Sequence, residues 1–113
     1  MATRNILVFL SQENHFILKI ADFGLSHLIK QESKDYYSTS QVQALPVAWS
    51  APELLSPPKD TPMKFTKQSD IWAFGVTLWE IISGGIRPYK EIDFKDLRPL
   101  IVEKGCILTL EKM

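Results

Sequence analysis

The sequence predicts an α+β fold, a β-hairpin at the start followed by a mainly helical body. Three observations predict it. Two short aliphatic runs, Ile6–Leu10 and Phe16–Ile20, flank the polar stretch Ser11–His15. The run Ile71–Ile82 is apolar except at Thr77 and Glu80, and Gly84-Gly85 follows it. Phe94, Leu97, Leu100 and Ile101 then keep helical spacing up to Gly105.

Taken in order, the first two runs read as strands joined by a five-residue turn, with Lys19 the one charged interruption. Residues 22–50 have no clear period and are rich in Ser, Gln, Lys and Tyr, which predicts a long loop of the kind that usually carries function or stays disordered. Ala51–Leu55 suits a short helix, with Pro52 tolerated in its first turn. Pro57, Pro58 and Pro62 enforce a loop. Ser69 or Asp70 is the expected N-cap of the next helix, which runs to about Ser83 and stops at the glycine pair. A helix apolar nearly all round is expected to be buried. The last helix contains Pro99, so it is kinked or begins late.

Composition narrows the function. The 113 residues are 45% apolar, which fits a globular chain, of which roughly two-thirds of the unfolded surface can be buried. Lys plus Arg and Asp plus Glu number 13 each, which gives no electrostatic case for nucleic acid or anionic lipid. Cys106 is the single cysteine, so no internal disulfide forms. The greasiest stretch, Ile71–Ile82, is too short to span a bilayer, which needs about 20 residues. The expectation is an intracellular, cytoplasmic chain. His15 and His27 fit no metal or triad spacing.

Four strings then stand in a fixed order: Arg4-Asn5, Asp22-Phe23-Gly24, Ala51-Pro52-Glu53 and Ser69-Asp70-Ile71-Trp72-Ala73-Phe74-Gly75. Alone, Asp22-Phe23-Gly24 is what a strand-end turn looks like. Alone, Asn5 and Leu7 read as a strand cap and a core residue. All four in sequence resemble the back half of a protein kinase catalytic domain. Ala2-Thr3-Arg4-Asn5 resembles the A-A-R-N form of the tyrosine kinase catalytic loop. Leu45-Pro46-Val47-Ala48-Trp49-Ser50-Ala51-Pro52-Glu53 resembles the P-V-K-W-x-A-P-E segment, departing at Ala48, where that family has Lys or Arg. Ser69 to Ile81 resembles the S-D-x-W-x-F-G-x-x-L-W-E helix.

The resemblance to tyrosine kinases implies roles. Asn5 and Asp22 would hold Mg2+ on the phosphates of ATP, and a hairpin brings its outer ends, hence these two residues, together. Leu7 and Ala21 would face the nucleotide, and Arg4 would orient the substrate phenol. Pro46 and Trp49 would shape a ledge for a bulky substrate residue. Asp70 would hydrogen-bond backbone amides of the catalytic loop. Glu53 would pair with an Arg further downstream than this chain extends. The domain then divides into a catalytic-loop end and hairpin (1–21), an activation segment (22–53) and C-lobe helices (54–113). Tyr36 and Tyr37 lie in the activation segment, where paired tyrosines resemble receptor tyrosine kinases and phosphate would add about −1.5 to −2 charge each.

In the kinase pattern H-R-D-L-x-x-x-N the catalytic base precedes the Asn by five positions, one before Met1. The Gly-rich loop, the β3 Lys and the αC Glu are also outside these residues. The expectation is a fragment, inactive alone, of a parent that phosphorylates protein tyrosine. The alternative is a non-catalytic decoy or scaffold whose core helix is covered by a protein partner.

Overall fold

The structure, a computed structural model, describes residues 1–21, 36–39, 46–56, 60–61, 63–105 and 107–110. Strands β1 (Ile6–Leu10) and β2 (Phe16–Ile20) pair antiparallel, with Ile6 opposite Ile20 and Leu10 opposite Phe16. Their turn closes through Ser11 N–H to the His15 carbonyl (2.7 Å), and Asn14 takes a left-handed φ of 60°. Asn accepts that conformation more readily than most side chains. Both faces of the hairpin are open: Val8 is 60% exposed on one and Phe9 45% on the other.

A second ribbon was not expected. Strand β3 (Tyr36–Thr39) pairs antiparallel with β4 (Met63–Thr66), Tyr36 opposite Thr66 and Thr39 opposite Met63. Part of the long loop predicted over 22–50 is therefore sheet. Each strand has four residues, too few to show a period of two, and the pairing joins distant parts of the chain.

Helix α1 (Pro52–Leu55) is one turn with Pro at its start, as expected. Helix α2 (Lys67–Ile82) begins earlier than the predicted Ser69 or Asp70. Its N-cap is Thr66, whose hydroxyl accepts from the Ser69 N–H (3.1 Å) while the Thr66 N–H donates to the Ser69 hydroxyl (3.0 Å). Two orphan amides are satisfied reciprocally, so Ser69 closes the first turn from inside the helix. Thr66→Ala is expected to lower the urea midpoint by the equivalent of about 1 kcal/mol, and Thr66→Ser by much less. Equal effects of the two would show that the hydroxyl does not cap. At the other end Gly84 and Gly85 take positive φ and return N–H groups to Ile81 and Glu80.

Helix α3 (Phe94–Lys104) continues through Pro99 and ends at left-handed Gly105. It neither starts late nor breaks. Pro99 and Lys95, the residue whose carbonyl the proline deprives of a donor, are both exposed, so that side of the helix is open to solvent. The buried stripe is Leu97 and Ile101, which with Val47, Ala48, Leu55 and Tyr89 form the core. Helix α2 borders this core through Trp72. Its buried residues are Ser69, Val76, Thr77 and Glu80, while Ile71, Phe74, Leu78, Ile81 and Ile82 are exposed. The expected all-round burial is therefore corrected: the inward face carries Ser69, Val76, Thr77 and Glu80, and large apolar residues face out. Among the described residues, part of the outer face meets the segment 107–110, where the Trp79 indole donates to the Thr109 carbonyl (3.0 Å).

Candidate functional site

The site forms where the N-terminal segment crosses α2. Residues Thr3–Asn5 make a single 3-10 turn, closed by Asn5 N–H to the Ala2 carbonyl (3.0 Å). The hairpin ladder continues one step below the strands, since Ala21 N–H donates to the Asn5 carbonyl (2.7 Å). Asn5 is thus set beside the residue that leads into Asp22. Asp22 itself lies outside the described residues, as do the side chains of Tyr36 and Tyr37.

A second 3-10 turn, Val47–Trp49, follows Pro46 and is fastened by the Ser50 hydroxyl to the Pro46 carbonyl (2.9 Å). Val47, Ala48 and Ser50 are buried, which leaves Trp49 to project from a fixed base. Ala48 belongs to the core cluster, so this chain carries no cation at that point of the turn.

Glu80 joins the two turns. The residue is 6% exposed, and its carboxylate accepts three hydrogen bonds. The Thr3 N–H reaches Oε1 (3.1 Å), the Thr3 hydroxyl reaches Oε2 (2.6 Å) and the Trp49 indole Nε1–H reaches Oε1 (2.6 Å). Glu80 forms no ion pair with a described residue. Neutral donors hold the buried carboxylate instead, and bonds to a charged acceptor are the stronger kind. One turn earlier the Thr77 hydroxyl is shared between the carbonyls of Ala73 and Met1. On the outer side of the indole the Arg4 guanidinium sits over the ring, 5.2 Å from its centre. Arg4, Trp49 and Glu80 therefore form one stack, a cation on the ring face and an anion at its N–H.

The predicted residues fall as follows. Arg4 is placed on Trp49, and Asn5 is bonded through its backbone to Ala2 and Ala21. Leu7, on β1, is 43% exposed, open rather than in the core. Ala21 is half-buried at the foot of the hairpin, and Glu53 is exposed in the first turn of α1. Asp70 is exposed and makes no hydrogen bond with a described residue. It lies close enough to the Met1 amino group to act on it: desolvation holds that amine below its ordinary pKa, against the opposing pull of Asp70 and Glu80. The N-terminal segment is anchored by Glu80 and Thr77, to which the sequence assigned no role. Their signal was present, since they are the two polar residues inside an otherwise apolar run.

Among the described residues no three His, Cys, Asp or Glu side chains cluster as metal ligands. The donor chemistry nevertheless suits magnesium: the amide of Asn5 offers a hard oxygen, and so by residue type does the carboxylate of Asp22, which lies outside the described residues.

Comparison with known proteins gives the family. A family model described as protein tyrosine and serine/threonine kinase matches residues 1–112. Ephrin type-A receptor 3 of Danio rerio is 38% identical over 97 residues, 86% of this chain and 9% of the receptor. Ephrin type-A receptor 7 of Gallus gallus is 37% identical over 103 residues, 91% of this chain and 9% of the receptor. Ephrin type-B receptor 4b of Danio rerio is 37% identical over 98 residues, 86% of this chain and again 9% of the receptor. The chain belongs to the protein tyrosine and serine/threonine kinase family. Within that family it is part of the C-terminal lobe of a tyrosine kinase catalytic domain, and it spans about 9% of the length of the curated relatives it matches.

Proposed function

We propose that these residues form the substrate-facing half of a protein tyrosine kinase that transfers the γ-phosphoryl group of ATP to protein tyrosine. What supports this most is the meeting of Thr3 and Trp49 on Glu80. On this reading it would set the end of the catalytic loop against the ledge that receives a substrate residue. Arg4 would orient the phenol, and Asn5 and Asp22 would hold Mg2+ on the phosphates. ATP supplies the phosphoryl group. Leu7 and Ala21 would lie under the nucleotide, and Glu53 and Asp70 would have structural roles. Residues 22–53 would be the activation segment, with Tyr36 and Tyr37 as regulatory phosphorylation sites in signalling. The domain division into 1–21, 22–53 and 54–113 follows from these roles, and the parent would act in the cytoplasm, as a receptor or otherwise. No helix among the described residues is long and apolar enough to cross a membrane.

Positioning and phosphate clamping supply most of phosphoryl transfer. The Gly-rich loop, the β3 Lys and the base are not among these 113 residues. By themselves the residues are expected to transfer no label to a poly-Glu/Tyr substrate. They should also bind ATP-magnesium no better than about −4 kcal/mol, or millimolar. Micromolar affinity by calorimetry would contradict this. Joined behind the upstream part of a tyrosine kinase domain, they are expected to support transfer that Asp22→Ala abolishes. Mass spectrometry of that active chimera should find phosphate on Tyr36 or Tyr37. Phosphate confined to Tyr89, which is buried, would count against the activation-segment reading.

A second reading rests on the outward apolar face of α2. A non-catalytic decoy or scaffold would use that face to bind a protein partner. A folded chimera without any transfer activity would favour it.

A further inference from the structure

We propose that Thr3 is a positioning residue of this chain, whose hydroxyl, acting through Glu80, holds the catalytic-loop end and the substrate ledge as one unit. The inference rests on the kinase reading of residues 2–5 and 46–49. Thr3 stands where the A-A-R-N form has alanine, so its hydroxyl adds a bond that form does not make.

The geometry gives that bond a particular task. A carboxylate on a three-carbon stem can rotate about its terminal torsion, which is broad and roughly two-fold. Two of the donors to Glu80, the Thr3 N–H and the Trp49 indole, share Oε1 (3.1 and 2.6 Å). Held at one oxygen, the group retains freedom to turn. The Thr3 hydroxyl takes the other oxygen at 2.6 Å and fixes the carboxylate plane. With the plane fixed, Oε1 has one direction, and the Trp49 indole has one place to point. Arg4 follows directly in the chain from Thr3 and lies on the ring of Trp49, 5.2 Å from its centre. Thr3 therefore sets both sides of the same contact: Arg4 by covalent neighbourhood and Trp49 by way of Glu80. The absence of an ion pair between Glu80 and a described residue leaves these neutral donors to orient it.

The test reads the tryptophan rather than catalysis. The full chain, fused to a soluble carrier and labelled with 15N at its indoles, carries three indole signals, from Trp49, Trp72 and Trp79. Trp79 bonds to the Thr109 carbonyl, away from Glu80, and serves as the internal reference. Thr3→Ala and Thr3→Val are expected to speed hydrogen exchange at the Trp49 indole by about tenfold and to move its resonance, with Trp79 unchanged. Thr3→Ser is expected to restore exchange to within about twofold of the parent. Trp49 exchange unaltered in the Ala and Val variants would overturn the proposal. So would failure of Ser to restore it. Equal acceleration or loss of all indole signals would also overturn it, since Thr3 would then support the fold at large. Because no phosphoryl transfer is measured, failure here leaves the kinase reading standing, and an inactive chimera leaves this one standing.

Discussion

Replacing Glu80 with alanine is expected to cost about 3 kcal/mol or more, because three donors lose their acceptor at once. The Thr3 amide, the Thr3 hydroxyl and the Trp49 indole all end on this carboxylate. A buried donor left unpaired costs about 1–3 kcal/mol, and the site gives water little access, Glu80 being 6% exposed. Against a margin of about 5–15 kcal/mol for an ordinary domain, the loss is large. Glu80→Gln keeps one oxygen for the indole and the amide, and the Thr3 hydroxyl can turn to accept from the new NH2 group. Its cost should be about 1 kcal/mol. Urea unfolding of the carrier-fused chain, followed by tryptophan fluorescence, measures both. Alanine and glutamine variants within about 0.5 kcal/mol of the parent would show that the three bonds contribute little.

Why this anchor was hard to read in the sequence is a matter of direction. The run Ile71–Ile82 announces a helix through its composition, its glycine stop and its length. It does not announce which way the helix faces. Apolar residues occur on every side, so no stripe points to a core. The two polar positions settle the matter once the fold is known: Thr77 and Glu80 are three apart, on one face, and that face is the buried one. The start of α2 was misplaced for a related reason. Ser69 and Asp70 are both good caps by type, but Thr66-Lys67-Gln68-Ser69 forms the reciprocal pair. The first hairpin was legible because both its runs are long enough to stand out and the turn between them is short. The β3–β4 ribbon was not, since its pairing depends on contacts across the chain rather than on local pattern. At the site, Arg4 and Asn5 could be named from their string, whereas their support came from Thr3, Trp49 and Glu80, far apart in sequence.

The outward face of α2 leads to the last expected result: without a soluble carrier, the isolated chain at working concentrations is self-associated, molten or bound to a partner. Ile71 is 67% exposed, Phe74 53%, Ile81 55% and Ile82 57%. Fully burying a large apolar side chain contributes about 1.5–3 kcal/mol, so leaving four of them half in water forgoes several kcal/mol. That sum is comparable to the whole margin of a typical domain. Contiguous apolar surface of this kind marks an interaction site or an aggregation hazard. Placing charge on the face, as in Ile71→Glu with Ile82→Lys, should shift sedimentation toward the monomer and reduce binding of a hydrophobic dye. Val76→Lys, on the buried side of the same helix, should instead unfold the chain, because it would bury a cation without a partner. A parent chain that sediments as a single monomer and melts in one sharp transition would refute the expectation. It would also favour the scaffold reading, since these residues would then be a stable unit with a face free for another protein.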